Sequence, residues 1–469
     1  MKRAATLVCV AVLAATAFFP IAATAAPVGP PAPSKGVVVV LGLAADGGRG
    51  VLADLVERDR WMVLFQSPDA RETTVVREWA EERGLLGDRV FVAQSGYGRI
   101  VLADNLATVA WLQATASGKV AEAELTRVLH PGGTGHLDGK TITKPVPKGV
   151  DVWSHPFHGP DNNPLSTDRL ARAPYLTQFI AEPKFSPLPT VVVAAGGRVF
   201  RAHGHISFQA NQTPVINTLV CSNGYNGAIL WTRPLKEGFM IHRMCMAATD
   251  DTLYLADDES CKVLDAATGK VVREIGVPEG VADGPVWKWM VLQGGKLYAL
   301  VGGPEVQPKP IRATGLAIGH WPWGMWEGYD YKDPKTSYGF GRTFLAFDPA
   351  DGKVLWRHAE QDYTDGRGIC MGAGRIYYYC PQKFLACLDA RTGEAVWKNT
   401  DPDLLKAIGP TGRAQNPGQG FSTTCFLKCD DALEPAIADF AALGAGISDC
   451  QLPIADRNRK SGFDRLTPP

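Results

Sequence analysis

Three stretches of this chain carry residue types that are costly to bury and suited to chemistry. Trp153-Ser154-His155-Pro156-Phe157-His158 runs into Asp161-Asn162-Asn163. Two imidazoles and a carboxylate this close could bind a metal ion, and Pro156, Gly159 and Pro160 predict a loop on which they can converge. The same side chains could instead bond the backbone of a neighbouring sheet, making the stretch a structural plug. Arg201-Ala202-His203-Gly204-His205 follows a predicted strand, whose alternation sets both rings on one face. His155, His158, His203 and His205 are therefore the candidate metal set, or they line the fold without metal. His320-Trp321-Pro322-Trp323-Gly324-Met325-Trp326 gathers three indoles, a platform for a glycan or protein surface, or a loop folded on its own aromatics. Trp287 and Trp289 alternate along a strand and are expected to share a face.

A fourth candidate is the glycine turn Gly42, Gly47, Gly48 and Gly50, after the apolar run Val37 to Leu41. Such a turn between a buried strand and a helix can cradle a nucleotide, and it can equally serve positive φ alone. The elements around it alternate. Strands are predicted at 37–41, 61–65 and 89–93, and helices at 51–60, 72–83 and 121–129, the last closed by Pro131-Gly132-Gly133. Residues 37–140 thus read as a small α/β Rossmann-like domain, and 141–190 as a linker and loop.

From 191 to 430 the chain repeats. A strand, a turn ending in glycine and an aliphatic strand recur as Val220–Trp231, Val263–Arg273, Leu345–Trp356 and Cys387–Trp397. The turn glycines 227, 269, 352 and 393 lie 42, 83 and 41 residues apart. A period near forty predicts propeller blades of four short strands. One upstream strand precedes each hairpin, so the 83-residue interval holds one blade with an insert near 303–338.

Leu388-Asp-Ala-Arg-Thr-Gly-Glu-Ala-Val-Trp397 resembles the pyrroloquinoline-quinone (PQQ) type repeat of the quinoprotein alcohol dehydrogenase-like family. The resemblance covers about half the chain and implies a β-propeller in which Trp231, Trp356 and Trp397 pack between blades. Dehydrogenases of that family hold PQQ with calcium, often beside a Cys-Cys pair, which this chain lacks. Many other such propellers are binding or assembly scaffolds. In the first domain, Asp104-Asn105 and Glu124-Leu-Thr-Arg-Val-Leu-His-Pro-Gly-Gly133 are similar to segments of S-adenosylmethionine methyltransferases. Gln66-Ser67-Pro68 stands where those enzymes carry an acidic residue for the ribose hydroxyls, and the glycine turn lacks their spacing. The resemblance implies a degenerate methyltransferase fold, kept for structure or for another ligand.

Charge excludes one class of partner. Lys plus Arg and Asp plus Glu are equal at 48, which leaves no electrostatic footprint for nucleic acid. Lys2 and Arg3, the apolar run Ala4 to Phe19 and Ala23-Thr24-Ala25 read as a signal peptide over 1–25, with no transmembrane helix after its removal. A periplasmic or secreted location follows, where S-adenosylmethionine is rarely met. Ten cysteines show no CxxC spacing and are expected to be buried apolar groups. From 431 to 469 the repeat grammar fails, and this atypical tail reads either as a shifted or shortened frame or as a helix closing a short propeller. The expectation is a multidomain chain, a small α/β Rossmann-like N-terminal domain followed by an all-β propeller with four blades and the beginning of a fifth. The leading function is a non-enzymatic binding or scaffold protein with a protein or glycan partner. The alternatives are a PQQ-dependent oxidoreductase and a methyltransferase acting through the first domain.

Overall fold

The computed structural model describes residues 36–58, 60–171, 180, 182–204, 206–207, 209–236, 241–304, 318–319, 335, 339–408 and 426–429. The signal segment, His205, the Trp321, Trp323 and Trp326 cluster and the 431–469 tail lie outside the described residues.

The first region is a mixed α/β sheet. Its elements are β1 (Val37–Leu41), α1 (Gly50–Ala53) running into a wider π turn over Asp54–Arg58, β2 (Met62–Ser67), α2 (Ala70–Glu81), β3 (Val90–Gln94), β4 (Ala107–Leu112), α3 (Glu122–Val128), β5 (Leu129–Leu137) and β6 (Lys140–Thr143). The strand order is β3-β2-β1-β4-β5-β6, parallel except for the β5–β6 hairpin. β1 is apolar throughout because both its faces are covered. Val38 and Val40 pack with Leu52, Phe65 and Trp79, whereas Val39 and Leu41 pack with Tyr97, Ile100 and Leu125. Asp69 starts α2 by accepting from Arg71 N at 2.7 Å.

Several elements differ from the sequence expectation. β4 was not anticipated, since Ala107-Thr-Val-Ala-Trp-Leu112 has small residues at two inward positions and a weak apolar signal. Pro131-Gly132-Gly133 does not close a helix but lies inside β5. The pairing with β4 jumps there, from Ala107↔Leu129 to Val109↔Thr134. A proline without an N–H is tolerated where the ladder is already interrupted.

The second region consists of four antiparallel sheets of four strands each. The first holds β7 (Pro189–Ala195), β8 (Arg198–His203), β10 (Thr218–Asn223) and β11 (Ile229–Pro234). β9 (Ile206–Ser207) pairs instead with β18 (Ile318–Gly319). The second sheet holds β12 (Met246–Ala248), β13 (Thr252–Ala256), β14 (Ser260–Asp265) and β15 (Val271–Gly276). The third holds β16 (Val286–Gln293), β17 (Lys296–Gly302), β19 (Phe340–Phe347) and β20 (Val354–Asp365). The fourth holds β21 (Ile369–Gly372), β22 (Arg375–Cys380), β23 (Phe384–Asp389) and β24 (Ala395–Asn399), and α4 (Pro402–Ile408) follows. The predicted turn glycines 227, 269, 352 and 393 join the last two strands of each sheet, with φ of +80°, +70°, +77° and +74°. That left-handed geometry is what selects glycine at those sites.

After the first three turn glycines, the fourth residue makes the joint to the next sheet. Trp231 donates from Nε1 to Ala266 O at 3.0 Å, and its ring lies against Gly269. Trp356 repeats this with Ala390 O at 2.9 Å and with Gly393. Between the second and third sheets the equivalent residue is Arg273, whose guanidinium donates to the carbonyls of Pro349 and Ala350. Two apolar clusters then fuse the sheets, one across the first three and one across the third and fourth. Trp287 and Trp289 do not share a face. A β-bulge between them sends Trp287 onto Phe347 in the first cluster and Trp289 into the second.

Candidate functional site

The Trp153–Asn162 segment is a strap laid across the leading strands of all four sheets. Trp153 exchanges both backbone bonds with Ala194 of β7, at 2.9 and 2.7 Å. Ser154 O accepts from Ala248 N of β12 at 2.9 Å, and His155 Nε2 accepts from Leu292 N of β16 at 3.1 Å. Pro160 O accepts from Met371 N of β21 at 2.8 Å. Asn162 then donates from Nδ2 to Ile369 O of β21 at 2.6 Å and to Leu427 O at 2.9 Å. Cys429 N donates to Asp161 O at 3.1 Å, so 426–429 is fastened to the same strap.

The histidines serve this strap. His155 is buried and its other ring nitrogen meets Ser154 Oγ at 2.8 Å; burial, then His158, pushes its pKa down to about 4. His158, at φ +78°, reaches Asp151 at 2.9 Å. Burial works to raise the Asp151 carboxyl, but donors from His158, Ser166 and Thr167 outweigh it and hold it below the usual carboxylate range. His203 lies elsewhere, buried on β8 with Nδ1 3.2 Å from Pro187 O, and burial lowers it to about 4. The structure therefore does not join His203 to His155 and His158, and among the described residues no three His, Cys, Asp or Glu side chains gather as a metal site.

Sequence reasoning missed a charged pocket. The bulge in β16 makes Lys288 the residue with no partner in β17, and it is almost wholly buried. Bulges re-aim side chains. Here Gly302 and Gly341 leave space for the lysine stem, a side chain at 366 would strike the Lys288 carbonyl, and Nζ donates to Gly303 O at 3.0 Å. His242, Arg243, Asp365 and Arg367 complete the lining, with Arg367 bidentate on Asp365 at 3.0 and 2.8 Å. The space enclosed is about 10 Å³, the size of one water. The signal in the sequence was a lysine between two tryptophans in an otherwise apolar strand.

The glycine turn is stapled shut. Gly42, at φ +72°, donates to Gln66 O at 3.0 Å, and a side chain there would strike Thr115 and Tyr97. Leu43 N donates to Thr115 Oγ1 at 2.8 Å, and Gln113 N to Leu41 O at 2.9 Å. This is the crevice at the carboxyl ends of β1 and β4, where the strand order reverses and open α/β sheets take ligands. Gln66, fully buried, donates to Gly96 O and Arg99 O at 2.8 and 2.9 Å and accepts from Val101 N at 2.8 Å. Glu124 accepts from Ile100 N at 2.7 Å and pairs with Arg127, which also holds Asp104 at 2.6 Å. The methyltransferase-like motif residues thus hold the β3–β4 loop over the sheet. Gly47, Gly48 and Gly50 stand on the exposed side of the turn; Gly48 N bonds Asp46 Oδ1 at 2.8 Å.

A larger groove opens beside β4, of about 340 Å³. Trp111, His136 and Thr141 lie in one row across β4, β5 and β6, with the indole and imidazole centroids 5.3 Å apart. Trp111 is 37% exposed. Asp138 and Gly139, both at positive φ, make the two-residue turn of the β5–β6 hairpin. Asp138 Oδ1 accepts from Ser117 Oγ at 2.5 Å, pinning the hairpin tip to the loop after β4. Gln113 and Lys140 finish the rim.

Comparison with known proteins bears on the fold. A family model described as outer membrane protein assembly factor BamB matches residues 342–413, the span of the third and fourth predicted hairpins. Among solved structures, BamB from Moraxella catarrhalis is similar at 15% identity over 45% of this chain and 51% of that one, with a TM-score of 0.28. A europium-containing methanol dehydrogenase is similar at 14% identity, over 45% of this chain and 41% of that one, TM-score 0.28. A geranyl diphosphate methyltransferase is similar at 22% identity, over 24% of this chain and 42% of that one, TM-score 0.19. The chain thus spans about half the length of the BamB structure that it matches. No curated protein matches it.

Proposed function

We propose that the protein is an exported, non-catalytic binding protein, with the PQQ-type sheets as scaffold and a neutral glycan as ligand of the Trp111 groove. The observation that carries this reading is the groove itself. Its volume suits a small ligand, and its walls are strands and a pinned hairpin, so the shape is preformed. One exposed indole face beside carboxylate, amide and hydroxyl groups matches the apolar face and hydroxyl rim of a pyranose. Asp138 and Lys140 balance in charge, which favours a neutral ligand over a phosphate or uronate. A planar base would need two parallel faces, whereas Trp111 and His136 are inclined at 45°. The Trp321, Trp323 and Trp326 cluster stays a second candidate surface for a protein or glycan partner. Export rests on the signal-like N-terminus.

The two enzymatic readings have less support. A quinone with three carboxylates would require the Lys288 pocket to open from about 10 Å³. S-adenosylmethionine would require Tyr97, Thr115 and the Gln66-held loop to leave the switch-point crevice. The test is calorimetric titration of the mature chain with maltotriose, cellotriose and chitotriose, then with PQQ and calcium, then with S-adenosylmethionine. We expect one neutral trisaccharide to bind, with affinity falling at least about tenfold in Trp111→Ala (about 1.4 kcal/mol). Binding of PQQ or S-adenosylmethionine, or saccharide affinity untouched by Trp111→Ala, would overturn the reading.

A further inference from the structure

Cys370, Tyr377, Cys387 and Trp397 form one cross-strand row over β21, β22, β23 and β24, and Leu427 and Cys429 pack on this face. Asn162 brings the two segments together. Its single Nδ2 donates to both Ile369 O and Leu427 O, so the residue before Cys370 and the residue two before Cys429 are within one side chain of each other. Met371 N and Cys429 N are tied in turn to Pro160 O and Asp161 O of the strap.

We infer that Cys370 and Cys429 are a disulfide site, a covalent link fastening segment 426–429 to the leading strand of the fourth sheet. Cys387 is excluded as the partner. It lies two strands away from Cys370 in the same row, roughly 10 Å by strand spacing, beyond the reach of a disulfide. The oxidant required is a disulfide of a protein or small molecule. Cys429, which is partly exposed, attacks it as thiolate and forms a mixed disulfide, releasing one thiol. Cys370 then displaces the second thiol. Two S–H bonds are lost and one S–S bond forms, and the acceptor disulfide takes up both electrons and both protons. The Cys429 contact first, and then burial, hold the Cys370 thiol protonated once the segment is seated.

The experiment is peptide mapping of the full chain after refolding in an oxidised glutathione buffer, quenched with an alkylating reagent and run without reduction. The expected result is a peptide pair two mass units lighter than its separate thiols, with fragment spectra placing the bond at Cys370 and Cys429, and Cys387 alkylated. Cys429→Ser should abolish the pair, while Cys387→Ser should leave it. Full alkylation of Cys370 after oxidation, or its linkage to Cys425 or Cys450, overturns the inference. The result does not depend on glycan binding.

Discussion

The two regions of the molecule close themselves by different means. In the α/β sheet, the place where such folds take ligands is filled by side chains: Tyr97 and Thr115 occupy it, and Gln66 draws the β3–β4 loop down. Across the four β-sheets, the leading strands are covered by main chain of the strap, with His155 and Asn162, among the described residues, contributing its side-chain bonds to them. The first solution is local and reads as an altered site. The second is an added structural member. A filled crevice can be reopened by one substitution, whereas a strap with bonds to every sheet cannot.

Acid should separate the regions most. His155 and His203 sit neutral, each pushed down to about 4 from 6.5. Between those values the unfolded chain binds more protons, so their stabilising contribution is complete above pH 6.5 and is lost as pH falls towards 4. By pH 4 the loss is about 3 kcal/mol each, about 6 together, all in the sheet region. Urea midpoints at pH 7 and 4.5, resolved by region with pulse proteolysis, should fall further for the β-sheets. Equal falls would break the contrast.

A matched pair of changes sharpens it. Gln66→Glu and Asn162→Asp each turn a donor that faces two carbonyls into a carboxylate oxygen. Each should cost about 3–5 kcal/mol, more at Gln66, which makes three bonds. Hydrogen exchange should show lost protection in 36–143 for the first and in the sheets for the second. Spread of either effect into the other region would mean one cooperative unit. The smallest effects are at the joints. Trp356→Ala should cost about 2–4 kcal/mol and Arg273→Ala about 1–2, measured as shifts in the unfolding midpoint. An arginine as costly as the tryptophan would show that its two carbonyl bonds carry that joint.

The propeller-like sheets were legible because their turns are local. Four glycines at +φ, each four residues before a Trp or Arg, are chemistry written in one short window. The α/β order was half legible. β4 has small residues at its buried positions, and β5 contains Pro131, so both rely on pairing that the window does not contain. The strap's residues read as either a metal-binding loop or a plug, and its span was not legible, since its partners are scattered over four sheets. The Lys288 pocket and the Trp111 groove went unread for the same reason. A bulge aims one and a three-strand row builds the other, and neither exists until distant strands are in register.

The strap precedes every sheet it touches, and this sets a schedule for synthesis. The partners of Asn162 lie 207 and 265 residues downstream. A chain made from its N-terminus presents the strap's donors and acceptors long before they can be met, and closing such long loops is slow. Each sheet can stack on its predecessor as it emerges, but the strap seats fully only when residue 427 is available. Until then the nascent chain is a row of sheets with open leading edges, the kind of surface that aggregates and that chaperones shield.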